Sequence, residues 1–322
     1  MRPVRSLALL VALVLFPALL GAAPLPNGKG KVEIKELPGK LRIEINGQLF
    51  SEYIYTNTSR PFLYPIIGPG GAKMTRNWPM QEEGQEEHDH PHHKSWWYAH
   101  GLMNGVDFWS EAKGAGQTVH DGFTKVKSGK VGVVKSRNKL VATNGVVVAT
   151  DVRTLKVYNV QDAALFDFEI TIKASNGDLV MGDTKEGTMA IRLAETMRNK
   201  QPKNKPGEGH IVNSEGVKDG ATWGKRAKWV DYYGPVGGKT VGVAIFDHPK
   251  NPRYPTSWHV RDYGLFAANP FGLHEFEKQP KNAGDLTVKA GQTVTFRYRF
   301  YIHNGNETEA KVAEQFEQFI RE

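Results

Sequence analysis

The sequence predicts an all-β fold, a large antiparallel sandwich closed by a C-terminal helix. Three observations predict it. Polar and apolar residues alternate with a period of two in run after run, turn-forming dipeptides separate those runs, and no helical periodicity intervenes before the last twenty residues. Strands spaced in this way, without crossover helices, pair as antiparallel neighbours.

Lys31 to Glu36 and Lys40 to Ile45 alternate as half-buried strands do. Asn46-Gly47 then marks a tight hairpin turn into Gln48 to Tyr55. Further strand-like runs are Val146 to Arg153, Leu165 to Lys173, Thr188 to Leu193, Lys228 to Tyr233, Val241 to Phe246 and Thr293 to His303. Asn144-Gly145, Asn176-Gly177 and Gly237-Gly238 punctuate them, and Asn199 to Gly209, rich in Lys, Pro, Gly and Asn, reads as a loop. The one expected helix lies at the end. Asn306 and Glu309 have the spacing of a capping box, and Val312, Phe316, Phe319 and Ile320 share one face.

The N-terminus reads as a secretory signal. Arg2 and Arg5 precede an apolar run from Ser6 to Leu20, broken only by Pro17, and Gly21, Ala22 and Ala23 follow. Cleavage is expected after Ala22, which leaves 23–322 as a single β-sandwich domain in the periplasm or outside the cell. The run is shorter than the roughly 20 apolar residues that span a bilayer, and no second run of that length follows, so no integral span is expected after cleavage. The chain is 39% hydrophobic and 24% charged, with a formal charge of +8 that falls to +6 without Arg2 and Arg5. Its basic residues are interleaved with acids, as on a solvated surface rather than a nucleic-acid face. There is no cysteine, hence no disulfide framework and no thiolate metal site. Any divalent metal would have to be held by His, Asp and Glu.

Three segments carry chemistry. The densest is Glu86 to Trp109, with His88, His90, His92 and His93 inside six residues, Asp89 among them, and Trp96, Trp97, Tyr98, His100 and Trp109 after them. Imidazole moves protons near neutral pH and also ligates metals, so two readings stay open. In the first, His92 or His93 is a general acid on a bound sugar, with Trp96 or Trp97 stacked on the ring. In the second, His88, His90, His92 and His93 hold a divalent metal. Pro91 places the histidines in a loop at a sheet end. The second segment is Asp183 to Gly187, where Glu186 is a candidate general base, followed by Arg192 as a substrate hydrogen-bonder. The third, Phe246 to Gly272, offers Arg253, His259 and Asn269 as further substrate-binding groups on a proline-fixed loop. P-loop, Rossmann, G-x-S-x-G and H-E-x-x-H patterns are absent.

Arg60 to Met80, Asp89 to Trp109, Asp183 to Gly187 and Asp247 to Gly272, in this order, resemble a secreted family labelled "methane oxygenase PmoA", common in planctomycete-type bacteria. The resemblance covers most of the mature chain and implies no catalytic residues. The long strands, histidine-rich loops and closing helix also look similar to the galactose-mutarotase-like supersandwich, whose members bind sugars in a cleft across one sheet and use His and Glu as acid and base. The expected function is therefore an exported carbohydrate-active protein, an epimerase, lyase or glycoside-cleaving enzyme, using His92, His93 and Glu186. The alternatives are a His-ligated metal-dependent oxidoreductase or hydrolase, and a non-catalytic glycan-binding protein. The expected partner in the leading reading is a carbohydrate or other small molecule, not nucleic acid.

Overall fold

The computed structural model describes residues 28–322; the signal-peptide reading of residues 1–22 lies outside the described residues. Two eight-stranded antiparallel sheets face each other. The first has the spatial order β1 (Val32–Leu37), β2 (Lys40–Ile45), β3 (Gln48–Ile54), β4 (Phe62–Leu63), β5 (Trp96–His100), β11 (Gly187–Arg192), β18 (Leu265–Asn269) and β17 (Ser257–Val260). The second runs β14 (His210–Asn213), β15 (Trp229–Val236), β16 (Lys239–Asp247), β20 (Thr293–Asn304), β9 (Ala164–Lys173), β8 (Val147–Tyr158), β7 (Val131–Val141) and β6 (Gln117–Lys127). Two small pairs, β10 (Leu179–Met181) with β19 (Leu286–Val288) and β12 (Lys200–Gln201) with β13 (Lys205–Pro206), lie outside the large sheets. The chain is thus an all-β antiparallel sandwich, and among the described residues no helix is long and apolar enough to cross a membrane.

The hairpin turns follow the local chemistry. Asn46 and Gly47 both take positive φ, 54° and 78°, as a type I′ turn between right-twisted strands requires. Gly237 and Gly238 do the same between β15 and β16. Burial then sorts the side chains by parity. On β5, Trp96 and Tyr98 enter the core between the sheets, while Trp97 and Ala99 face outward. On β11, Met189 and Ile191 point inward and Ala190 outward; on β18, Phe266 and Ala268 point inward and Leu265 and Ala267 outward.

The two outer faces are used differently. After a single helical turn, α1 (Leu273–Phe276), the chain ends in α2 (Val312–Phe319), which lies on the outer face of the second sheet, its Val312, Phe316 and Phe319 buried against Val212, Trp229, Ala244, Phe246 and Tyr301. The outer face of the first sheet presents Ala99, Ala190 and Ala267, small enough for Trp97 and Trp109 to lie close against the strands, and carries the loops described below.

One expected detail is corrected. The Asn306–Glu309 capping box forms, with Glu309 N–H donating to Asn306 Oδ1 at 2.9 Å and Asn306 N–H to Glu309 Oε2 at 2.9 Å. It closes a separate turn, however. Lys311 takes a left-handed φ of 52° and breaks the helical path, so α2 starts only at Val312.

Candidate active site

The histidine loop is held from behind by two buried arginines. Arg76 donates to the carbonyls of Trp78, Glu87 and Asp89, and Arg60 donates to those of His92, Phe108 and Trp109. Both guanidiniums are almost wholly buried, so their N–H groups need partners, and loop carbonyls supply most of them, Arg60 Nε being left without one among the described residues. Asp89 is the counterion of Arg76 in this layer and of Arg192 beside it. Its Oδ1 accepts from Arg192 Nη2 at 2.8 Å and from Arg76 Nη1, and its Oδ2 lies 3.0 Å from His90 Nδ1. Burial opposes the Asp89 charge, but the His90 hydrogen bond and the guanidiniums of Arg192 and Arg76 outweigh it and hold the carboxyl far below its usual range.

The rings form a continuous stack. Tyr263 lies on His90 with centroids 5.2 Å apart, His90 on His93 at 4.7 Å, and His93 on Trp97 at 5.3 Å. His92 meets His93 edge-on at 4.5 Å. Together with Asp107, Trp109, Ser110, Lys185, Glu186, His259, Arg261 and Leu265, the three loop histidines and Tyr263 line an open cleft of about 420 Å³.

Hydrogen bonds to fixed partners set the protons on two of these histidines. A guanidinium only donates, so His93 Nδ1, 3.3 Å from Arg192 Nη1, is an acceptor, and the neutral ring carries its proton on Nε2. A carbonyl only accepts, so His259 Nδ1 donates to the Lys185 carbonyl at 2.7 Å and leaves Nε2 bare. Burial keeps both neutral. It pushes His259 down to about 3, aided by Arg261 and Lys185, and it pushes His93 well below the ordinary value, aided by Arg192. Burial and the Arg60 charge bring His92 to about 4.

Glu186 lines the same cleft, just before β11, with its side chain 40% exposed. Asn269 Nδ2 donates to the carbonyls of Thr184 and Lys185, and Lys185 is gripped through its backbone N–H and Nζ by Glu275, so the turn bearing Glu186 is fixed on both sides. Gly101 N–H donates to the Glu186 carbonyl at 2.7 Å, and a Cβ on Gly101 would lie 2.8 Å from that oxygen. Gly101→Ala is therefore expected to displace Glu186 and to cost about 1–3 kcal/mol, as overpacking does. An unchanged urea midpoint would show that the wall yields freely.

The structure brings His90, His92, His93, Glu186 and His259 to one cleft and removes others from it. Trp96 is not available to a sugar; it is 2% exposed, with its ring against Phe166, Phe168 and Phe300 of the second sheet. Trp97 points to the site side but lies wholly buried beneath His93, so it supports an imidazole rather than a ligand. Arg192 is likewise buried, and it positions Asp89 and His93 instead of binding substrate. Arg253 leaves the cleft altogether and donates to the carbonyls of Pro270, Gly284 and Asp285. Asn269 is a buried brace for the Glu186 turn.

His88 is separated from the other histidines, stacked on Trp78 at 4.9 Å and paired with Glu82, so the four-histidine ligand set does not assemble. Among the described residues no group of three or more His, Asp or Glu side chains is arranged to hold a metal ion. Arg60, Arg76 and the Asp89 hub were not singled out for any role in the sequence; their signal, long-range bonds from guanidinium to loop carbonyl, has no period and no motif.

The chain's likeness to solved structures is weak. A galactosidase domain of alpha-galactosidase-sucrose kinase, AgaSK, is 9% identical at a TM-score of 0.37, covering 87% of this chain and 40% of its own. A Glycoside Hydrolase Family 97 enzyme from Pseudoalteromonas sp. strain K8 is 10% identical at a TM-score of 0.35, covering 88% of this chain and 35% of its own. A galactose mutarotase related enzyme from Lactobacillus acidophilus is 9% identical at a TM-score of 0.29, covering 84% and 97%. The chain thus spans well under half the length of the first two. No curated protein matches it. Residues 40–317, most of the sandwich and nearly all of α2, match one family along their whole length, and the chain belongs to that Family of unknown function (DUF6807).

Proposed function

We propose that the protein is a carbohydrate-active enzyme that moves a proton on a bound sugar. Glu186 takes the proton, and neutral His93 and His259 hold and polarise the reacting oxygens. The observation that carries this reading is the convergence of His92, His93, His259 and Glu186 on one cleft. His93 offers an Nε2–H that can polarise a hydroxyl or carbonyl oxygen without being ionised, and the bare Nε2 of His259 accepts from a sugar hydroxyl. Trp109 Nε1–H, buried beside the cleft without a partner among the described residues, is a further donor. The expected roles of His92 and His93 as general acids give way to this one, because burial holds both uncharged at neutral pH.

Epimerisation or elimination suits the site better than glycoside cleavage. Cleavage in its usual form sets two carboxyls on either side of the bond. The second carboxylate on this cleft, Asp107, is already engaged by the backbone N–H groups of Trp109 and Ser110 at 2.7 and 3.0 Å and by the Ser110 hydroxyl at 2.5 Å. Of the two carboxylates only Glu186 is left to accept a proton, and the electron pair it leaves on the substrate is stabilised through the oxygen that His93 polarises. The step closes when water returns a proton to the other face of that carbon, giving the epimer, or when the pair expels the β-oxygen substituent, which leaves protonated by water, giving the unsaturated product.

The test is a sugar panel incubated with the protein in deuterated water and followed by NMR for exchange, epimer or unsaturated product. Glu186→Gln and His93→Gln are each expected to lower turnover about 100- to 10,000-fold, the usual worth of a positioned proton-transfer group. Wild-type turnover in Glu186→Gln would overturn the assignment.

A further inference from the structure

Arg261 is a cation in the cleft whose side chain, among the described residues, makes no hydrogen bond and no ion pair. It begins the turn between β17 and β18, where its N–H donates to the Leu265 carbonyl at 2.7 Å and its carbonyl accepts from Gly264 at 3.1 Å, so its backbone is fixed. The guanidinium lies over two aromatic faces, 5.9 Å from the Trp223 centroid and 5.5 Å from that of Tyr263. Arg192 is matched by Asp89, Arg226 by Glu277, and Arg253 by three carbonyls. Among the described residues Arg261 has neither a carboxylate nor a carbonyl partner for its side chain. The other cation on the cleft, Lys185, is tied by Nζ to Glu275 at 2.8 Å and to Glu186 at 3.4 Å. The aromatic faces orient the guanidinium without consuming its N–H donors, and a planar fork of free donors is suited to two oxygens of one anion.

We propose that the cleft takes an anionic sugar, whose oxyanion is received by the Arg261 fork while the ring lies against the histidine wall. The proposal rests on the sugar-binding reading above and narrows it to substrates bearing a carboxylate or a sulfate ester. Arg261 acts in binding and is not assigned a part in the proton transfer.

The experiment measures affinity by calorimetry for three probe sets: glucuronate, galacturonate and mannuronate; the matching neutral hexoses; and glucose 6-sulfate. The full chain is used as wild type, Arg261→Gln and Arg261→Lys. The expected result is that at least one uronate or the sulfate ester binds wild type tenfold or more tightly than its neutral counterpart. Arg261→Gln should erase that preference, and Arg261→Lys should keep part of it, since the charge remains and the fork is lost. A preference for the sulfate ester over the uronates would support the proposal and name sulfate as the source of the oxyanion. Equal affinity for charged and neutral sugars, or a preference that survives in Arg261→Gln, would overturn it and leave the sugar reading standing. Absence of binding by every sugar would overturn both.

Discussion

Trp96→Ala is expected to cost about 3–5 kcal/mol of folding stability, the range for removing a large aromatic from a filled core. The Trp96 ring meets Phe168 at 4.9 Å, Phe300 at 5.6 Å and Phe166 at 5.7 Å, all nearly edge-on, so it joins the first sheet to the centre of the second. The cavity left would be lined by phenylalanines that their strands hold in place. The neighbouring Trp97→Ala makes the contrast. That ring lies on the other face of the same strand, under His93, and its loss should loosen the imidazole stack and the site as well as the fold. Urea unfolding of both variants, with ligand binding measured alongside, separates the two faces. If Trp96 stacked on substrate, its alanine variant would keep stability within about 0.5 kcal/mol, as surface changes do, and lose binding.

The adjacent tryptophans also show which parts of the fold are legible in the sequence. Strands with one face in the core and one more open alternate visibly, and β1, β2, β3, β8 and β9 lie where the alternation places them, β8 running on to Tyr158. The strands that build the site do not alternate. Trp96–His100, Ser257–Val260 and Leu265–Asn269 are buried on both faces, since the core lies on one side and the histidine loop and its supports on the other, so period two is erased. The hairpin of β6 and β7 is hidden in the sequence for a different reason: β6 is largely exposed on both faces and carries bulges around His120 and Phe123, which shift its register.

The same reasoning divides the site residues. His90, His92, His93, Glu186 and His259 could be picked out because unusual chemistry is dense around them. Arg192 and Asn269 lie in the expected neighbourhood but brace the site instead of facing a ligand, because composition does not tell whether a polar side chain meets a ligand or a group of the protein itself. Arg253 shows this most directly. It sits in a polar, aromatic loop of the kind that builds sites, and every one of its hydrogen bonds goes to a carbonyl away from the cleft.

Asp89 carries the other large expected effect. Asp89→Ala strips Arg76 and Arg192, both fully buried, of their shared counterion. The nearest remaining carboxylate oxygen, Glu195 Oε1, lies 3.8 Å from one guanidinium and 3.9 Å from the other. Leaving buried charge uncompensated costs about 3–5 kcal/mol, and the lower end applies because one edge of Asp89 reaches solvent. Asp89→Asn keeps an accepting oxygen and should lose less.

Acidification distinguishes this charge from the histidines nearby. The half-buried His92 and the buried His259 are held down to about 4 and about 3, against roughly 6.5 when unfolded. Between those values the unfolded chain binds more protons, so their contribution is complete above about pH 6.5 and is lost as the pH falls toward 3. Asp89 is also held low, against roughly 3.9 unfolded, so its contribution is complete above about pH 4 and is lost only below it. These groups weaken wild type in two stages, and Asp247, which burial pushes up to about 7, works the other way between about pH 7 and 4 in wild type and Asp89→Asn alike, so it leaves the gap between them unchanged. Asp89→Asn, less stable at pH 7, should follow the first stage in parallel and then close part of its gap to wild type below pH 4. Urea midpoints at pH 7, 5 and 3.5 read this directly, and a gap that stays constant to pH 3.5 would show that the Asp89 charge does not hold the two arginines in place.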